Sequence, residues 1–201
     1  GGRRGRGRLR CRGGGRRSVV AGTFKVHGLD HGIRRSSMHG IGDEADAVSD
    51  AELIDAMEYW VNQFNIDGFR CDMAHLVPLD FWVEARTKLE KTKTLYWLAE
   101  CEDLAYHQVF DTSYAWAWMH ASKKVGQEVD GLQEVYHVLH QYAQYPKGAH
   151  KLFFTSNHDE NSWNGTEYEK YGIAAKAWAV FTHTWNGQPL IYSGQELPNY
   201  K

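Results

Sequence analysis

The stretch IDGFRCDMAHLVP, residues 66–78, is the starting point for interpreting the rest of the chain. An apolar run containing a glycine is followed at once by Arg70, Asp72 and His75. Alternate residues of a strand share a face, so Arg70 and Asp72 are predicted to point the same way. A neighbouring arginine favours the charged form of a carboxylic acid. The pattern predicts an ionised aspartate at a strand end, suited to act as a nucleophile; a purely structural Arg–Asp pair fits it equally well.

The composition indicates one globular domain preceded by a basic segment. The chain has 201 residues, 42% hydrophobic and 13% aromatic, enough for one domain with a real core. Residues 1–35 hold eleven of the 23 basic residues and one acidic residue, so the remainder is acidic. Residues 1–17 are Arg/Gly-rich and cannot bury apolar surface, which indicates a disordered tail or an artefact. An arm that binds nucleic acid is disfavoured, because this segment has no aromatic residue to stack on bases.

The cysteines and the apolar runs exclude several classes of protein. Cys11, Cys71 and Cys101 match no zinc-binding spacing, and the last two are interpreted as small residues at strand ends. There is no run of 18 apolar residues, so no membrane span is predicted. No apolar segment near the start resembles a signal peptide. The natural amino terminus is expected to lie upstream, so the localisation is left open.

Periodicity predicts alternating helices and strands from Ser49 onwards, whereas residues 18–48 are assigned to loop. Ser49 and Glu52 form a capping-box pattern, and apolar residues then recur at helical spacing. Strands are predicted at residues 66–72, 94–99, 152–155 and 189–192, with a weaker one near 108–110, and further helices at 80–91, 114–125, 132–145 and 168–185.

Acidic residues follow three of the predicted strands. Alternating strands and helices indicate a parallel sheet, and active sites lie at the carboxyl ends of such strands in (β/α)₈ barrels and in open sheets. Asp72, Glu100 and Asp159 occupy these places. Cleavage of a glycosidic bond needs a carboxylic acid at the leaving oxygen and a carboxylate on the other face of the sugar. The three acidic residues therefore favour a glycoside hydrolase.

Four motifs resemble those of the α-amylase family, glycoside hydrolase family 13. GFRCDMAH, LAECE, FTSNHDEN and GQPLIYSGQE resemble, in order, the family's fourth-, fifth-, seventh- and eighth-strand motifs. The resemblance covers about residues 49–197. It implies an α/β fold of the (β/α)₈ TIM-barrel type, incomplete, with about strands four to eight and their helices. Residues 49–201 would then form a partial catalytic barrel, and residues 1–48 a separate low-complexity segment.

The resemblance also implies roles for individual residues. Asp72 corresponds to the nucleophile, Glu100 to the general acid/base and Asp159 to the residue that stabilises the transition state. Members act by double displacement, which retains the anomeric configuration. The other substrate-binding residues that it implies are Arg70, His75 and His158.

Tryptophans and a calcium site complete the predicted centre. Trp163, in the loop after Asp159, is the predicted sugar platform, whereas Trp82, Trp116 and Trp118 are predicted to be core residues. In many family members the carbonyl at the position of His75 binds a structural calcium ion. The third-strand motif, with its calcium-binding asparagine, is absent from this sequence. Residues 1–48 are not expected to supply a strand, so the strand bearing Asp72 is expected to lack one neighbour.

The resemblance implies hydrolysis of α-1,4-glucosidic bonds in starch, glycogen or maltodextrins. A transglycosylase or isomerase on the same barrel, and a non-catalytic remnant that binds α-glucan, are the alternatives. The expected partner is an α-glucan polysaccharide or oligosaccharide, with no membrane and no nucleic acid, and the oligomeric state is left open.

Overall fold

The computed structural model describes residues 21–24, 49–125 and 130–197. Within these ranges a single sheet contains six strands, and each strand pairs in parallel with the next strand along the chain. This order is that of a (β/α) barrel, as predicted. The strands are β1 (Ala21–Phe24), β2 (Gly68–Cys71), β3 (Tyr96–Ala99), β4 (Thr112–Tyr114), β5 (His150–Phe153) and β6 (Gln188–Pro189).

Helices connect the strands and cover one face of the sheet. None of the described helices is long and apolar enough to cross a membrane. Short 3₁₀ turns lie at Ala74–Leu76, Leu104–Gln108 and Gly172–Ala174. The α-helices are α1 (Asp50–Phe64), α2 (Leu79–Leu89), α3 (Trp116–Lys124), α4 (Gly131–Tyr142), α5 (His158–Asn164), α6 (Glu167–Tyr171) and α7 (Ala175–Thr184).

The predicted capping box starts α1. The Ser49 hydroxyl accepts a hydrogen bond from the Glu52 amide, and the Glu52 carboxylate accepts one from the Ser49 amide at 2.8 Å. Two of the amide groups that a helix start leaves unpaired are thereby satisfied. The buried face of α1, formed by Ile54, Met57 and Val61, belongs to the core that covers β2 and β3.

Strands β2 and β3 pack closely, and their side chains alternate between the two faces of the sheet. A Cβ atom on Gly68 would lie 2.0 Å from the Tyr96 carbonyl oxygen, so only glycine fits there. Phe69 pairs with Trp97, and their rings pack 5.4 Å apart within the helix-covered core. Since strand residues alternate, Arg70 points away from the helices, toward the other face of the sheet.

The loop prediction for residues 18–48 is wrong at β1. Ala21–Phe24 pairs with β2 from Ala21 opposite Gly68 to Phe24 opposite Cys71. These four residues carry no charge, so the argument from the Arg/Gly-rich start of the chain does not apply to them. The strand bearing the Asp72 motif therefore has neighbours on both sides, contrary to the expectation. The other residues before Ser49 lie outside the described part.

Two further predictions of secondary structure are corrected. The weak strand near residues 108–110 is instead the end of a 3₁₀ turn, whose start is capped by Asp103, and the strand lies later, at Thr112–Tyr114. The long helix over residues 168–185 is divided between α6 and α7. Gly172, with φ of 53°, adopts a backbone conformation that interrupts the α-helix.

The tryptophans separate largely as predicted. Trp82 and Trp118 are fully buried among other aromatic rings, while Trp116 is half-buried and stacks on Tyr114 with ring centres 5.8 Å apart. Trp163, in contrast, is 79% exposed. The exposure leaves Trp163 accessible to a ligand, which the core tryptophans are not.

Candidate active site

Arg70 joins the carboxylates that follow β2 and β3. Its Nη1 donates a hydrogen bond to Oδ1 of Asp72, and its Nη2 lies 2.9 Å from Oε2 of Glu100 as a charge contact without hydrogen-bond alignment. The side chains of Arg70 and Glu100 are only 8% and 7% exposed. Charges at such burial are tolerated when they are paired. One guanidinium thus brings together two of the three predicted catalytic residues.

The environment of Glu100 shifts the balance of this side chain toward its protonated form. Burial raises its pKa; the Arg70 charge and a hydrogen bond from the Met73 amide at 3.1 Å oppose this effect, and nearby Asp72 adds to it. The net direction is upward. Met73 presents its amide from a left-handed backbone conformation with φ of 43°, which is uncommon for a residue other than glycine. Backbone strain of this kind is concentrated at functional sites.

Tyr114 is a residue of this site that the sequence did not identify. Arg70 Nε donates to its hydroxyl at 3.3 Å, and the guanidinium carbon lies 5.4 Å from the ring centre. Burial raises the pKa of Tyr114, Arg70 opposes this, and the charges of Glu100 and Asp159 add to it. Its place at the carboxyl end of a strand was the available signal, but residues 114–125 were predicted to be helical.

Replacing Tyr114 by phenylalanine is expected to lower the free energy of unfolding by about 1.5 kcal/mol, the lower end for a hydrogen bond to a charged group. The removed hydroxyl is one of the groups that hold the Arg70 guanidinium. Urea unfolding measures the loss. Tyr136→Phe is the matched control, because Tyr136 is exposed on α4. Equal stabilities of the two variants would contradict the assignment.

Asp159 and His158 lie in the first turn of α5. Asn157 caps this helix, its Oδ1 accepting hydrogen bonds from the amides of Asp159 and Glu160 at 3.0 and 2.8 Å. The half-exposed side chains of His158 and Asp159 approach each other to 3.3 Å. Burial is the main cause of the raised pKa of Tyr114, and the charge of Asp159 adds to it. Trp163 follows on the same helix, so its predicted place in a loop is wrong.

His75 is exposed in the 3₁₀ turn after β2. Its carbonyl oxygen lies 3.2 Å from the Tyr106 hydroxyl, which also donates to Val77. Calcium requires six to eight oxygen ligands. Within the described ranges no group of three His, Cys, Asp or Glu residues is placed to hold a metal ion. Calcium also accepts backbone and asparagine carbonyl oxygens as ligands, so the site that the resemblance implied stays a prediction.

Two buried cysteines and a half-buried histidine lie near the strand ends. Cys71 and Cys101 are buried and unbridged, and burial raises the pKa of both thiols, that of Cys101 to about 11. They are structural residues at strand ends, as predicted. His107 is half-buried, and its Nε2 lies 2.9 Å from the Ser113 hydroxyl, because this segment forms a 3₁₀ turn next to β4.

Paired carboxylates at the carboxyl ends of adjacent parallel strands, one with a raised pKa, are the arrangement of a glycoside hydrolase on a (β/α) barrel. Residues 38–200 match the alpha-amylase family, described as "Alpha amylase, catalytic domain". The chain belongs to the α-amylase family. The match begins upstream of residue 49, at which the motif resemblance starts.

Known α-amylase-type proteins are similar over most of the chain. The α-amylase MalA of Haloarcula japonica is 30% identical over 152 residues, 72% of this chain and 22% of that protein. A cyclomaltodextrinase of Geobacillus thermopakistaniensis is 28% identical over 160 residues, 72% of this chain and 26% of that protein. The crystal structure of the maltogenic α-amylase AmyB of Thermotoga neapolitana has a TM-score of 0.68 at 34% identity, covering 79% of this chain and 38% of that one. This chain thus spans about a quarter of the length of these two curated relatives.

Proposed function

We propose that the chain carries the catalytic carboxylates of a retaining glycoside hydrolase that cleaves α-1,4-glucosidic bonds in starch, glycogen or maltodextrins. The observation that carries the proposal is the Arg70 guanidinium shared by Asp72 and buried Glu100. An ionised carboxylate beside a carboxylic acid of raised pKa is the pair that double displacement needs. The printed names of the relatives, an α-amylase, a cyclomaltodextrinase and a maltogenic α-amylase, support an α-glucan substrate.

In this proposal Glu100 protonates the leaving glycosidic oxygen while Asp72 attacks the anomeric carbon. The bond from the anomeric carbon to the leaving oxygen breaks as the bond to the Asp72 carboxylate forms. Glu100 then takes a proton from water, and the water oxygen displaces Asp72 from the sugar, which restores both carboxyl groups. Arg70 keeps Asp72 ionised between turnovers, because an adjacent positive charge favours the charged form.

The other predicted residues contact the sugar in this proposal. Asp159 stabilises the positive charge that develops at the anomeric centre, and the exposed Trp163 ring offers a flat apolar surface to a sugar. His75 and His158, both exposed, donate or accept hydrogen bonds with sugar hydroxyls. Each of these side chains is accessible from solvent, which a binding role requires.

The direct test is the incubation of purified chain with maltoheptaose beside its Asp72→Asn variant. Proton NMR of the first product identifies its anomer, and retention gives the α-anomer. Shorter maltooligosaccharides indicate hydrolysis, whereas products longer than maltoheptaose indicate transfer to sugar. Binding to starch that survives in Asp72→Asn, with no cleavage by the parent, would replace the proposal by a binding role.

The activity is expected to fall on the alkaline side at a pH above the ordinary glutamate pKa of about 4.3. Glu100 must be protonated to act as the acid, and its raised pKa keeps the proton on it to higher pH. The alkaline limb of kcat/KM against pH measures this pKa in the free enzyme. An alkaline limb at or below the ordinary value would contradict the role of Glu100.

A further inference from the structure

Glu102, two residues after Glu100, binds two segments, the start of α3 and the end of α4. Its Oε2 accepts a hydrogen bond from the Ala117 amide at 2.7 Å, and its Oε1 accepts one from the Tyr142 hydroxyl. Its backbone carbonyl accepts one from the Tyr145 hydroxyl at 2.9 Å. The residue before α3, Ala115, offers no side-chain cap. Glu102 therefore caps α3 from a different loop, where a negative charge also suits the helix dipole.

Lys151 of β5 is the buried cation beside Glu102. Its Nζ donates to the Ser113 hydroxyl at 2.9 Å and lies 3.5 Å from Glu102 Oε1. The rings of Tyr142 and Tyr145 lie 4.4 and 4.6 Å from the same nitrogen. Burial lowers the pKa of Lys151 to about 8, against the opposing charge of Glu102. A buried ammonium group is tolerated because carboxylate, hydroxyl and aromatic faces surround it.

The cluster of Glu102, Lys151, Tyr142 and Tyr145 lies on the helix-covered face of the sheet, opposite the face that carries the proposed reacting groups. Lys151 lies opposite Ser113 on the neighbouring strand. Both side chains face the helices, because Lys151 packs on the rings of Tyr142, at the end of α4, and Tyr145, just after it. Glu100 faces the opposite side, where it meets Arg70. The cluster thus contacts none of the proposed reacting groups. Its hydrogen bonds nevertheless hold the backbone at Glu102, two residues after Glu100.

We propose that Glu102 and Lys151 are positioning residues that hold the loop after β3 and thereby orient the Glu100 carboxyl group toward Arg70 and the Met73 amide. The inference rests on the proposed function of Glu100. When the cluster is broken, the loop relaxes, and Glu100 becomes more hydrated and less well aligned. Misplacement of a reacting group by about 1 Å costs up to about 100-fold in rate.

Glu102→Gln tests the proposal, because one amide oxygen cannot replace both carboxylate oxygens, which accept from Ala117 and Tyr142, and the amide has no charge to stabilise Lys151. Glu134→Gln is the matched control, since Glu134 pairs with Lys124 at 2.9 Å between the same two helices. Glu102→Gln is expected to lower kcat for maltoheptaose by about 10–100-fold, with a smaller change in KM. The alkaline limb of its kcat/KM profile should move to lower pH. Glu134→Gln should keep the kcat, KM and pH profile of the parent.

A second readout does not depend on activity. In protein labelled with ¹³C at glutamate carboxyl carbons, the Glu100 signal is identified by its loss in Glu100→Gln. Its titration midpoint should move to lower pH in Glu102→Gln and stay in place in Glu134→Gln, and the Met73 amide signal should shift. If the parent is inactive but this shift occurs, the proposed function fails for this chain and the positioning role stands.

A folded Glu102→Gln protein with the parent's Glu100 titration and Met73 amide signal would overturn the proposal. Should Glu102→Gln not fold, Tyr142→Phe decides the question, because it removes one hydroxyl from Glu102 without leaving a buried lysine unpaired. It should move the Glu100 midpoint in the same direction by a smaller amount. An unchanged midpoint in folded Tyr142→Phe would then overturn the proposal.

Discussion

Glu100→Gln is expected to reduce hydrolysis of maltoheptaose by at least about 10²–10⁴-fold, the usual contribution of a general acid–base residue. Asp72→Asn should cost at least as much, because it removes the covalent route. Arg70 links both side chains, so each variant leaves one partner for the guanidinium. Both proteins should therefore still fold.

Initial rates of reducing-sugar release measure the two losses, with thermal unfolding recorded in parallel. Glu84→Gln is the matched control, because Glu84 is exposed on α2 and lies outside the site. It should keep the rate of the parent. If either Asp72→Asn or Glu100→Gln kept near-normal turnover, its assigned role would be wrong.

Lys170→Met is expected to destabilise the fold by about 3 kcal/mol or more, the usual cost of breaking a buried ion pair. Lys170 Nζ lies 3.0 Å from Glu160 Oε2, and the two side chains are 3% and 6% exposed. Methionine would leave the buried Glu160 carboxylate with the Asn164 amide at 2.9 Å and, as a cation, Lys123 at 3.8 Å. Because Glu160 follows Asp159 on α5, the loss should also reduce activity.

Two further variants separate the loss of the buried ion pair from the general effect of replacing a lysine by methionine. Lys88→Met, at the exposed pair with Asp55, should cost no more than about 1 kcal/mol. The double variant Lys170→Met with Glu160→Gln should be more stable than Lys170→Met alone, because no unpaired charge remains. A Lys170→Met protein as stable as Lys88→Met in urea would contradict the prediction.

The Glu160 pair also makes stability depend on pH. Burial pushes the pKa of Glu160 upward, but the hydrogen bond and charge of Lys170 outweigh it, and the pKa in the folded protein is lowered. The unfolded state therefore binds the proton more readily. This contribution to stability is present above the unfolded pKa of about 4.3 and is lost as the pH falls through the folded value. Lys170→Met should weaken that acid sensitivity.

The sequence was sufficient where local spacing decides the geometry. Arg70 and Asp72 are two residues apart at the end of β2 and so share a side, and Glu100 meets them because it directly follows the neighbouring strand, β3. Tyr114 and Lys151 could not be placed in the same way. Their contacts depend on strand registers and on helices far away in the chain, and β4 is only three residues long. Strand β1 has only four residues and follows a low-complexity segment, so its sequence is too short to show the alternation that predicts a strand.

The order of the sheet, in which every described strand lies beside its predecessor in the chain, has a consequence for synthesis on the ribosome. Each strand that emerges finds its partner already made, so the sheet can grow by one strand and one crossover at a time. The cluster of Asp72, Arg70 and Glu100 can form once β3 and Glu100 have emerged. Asp159 follows only after β5, so a nascent chain halted between them would hold the paired carboxylates without the third.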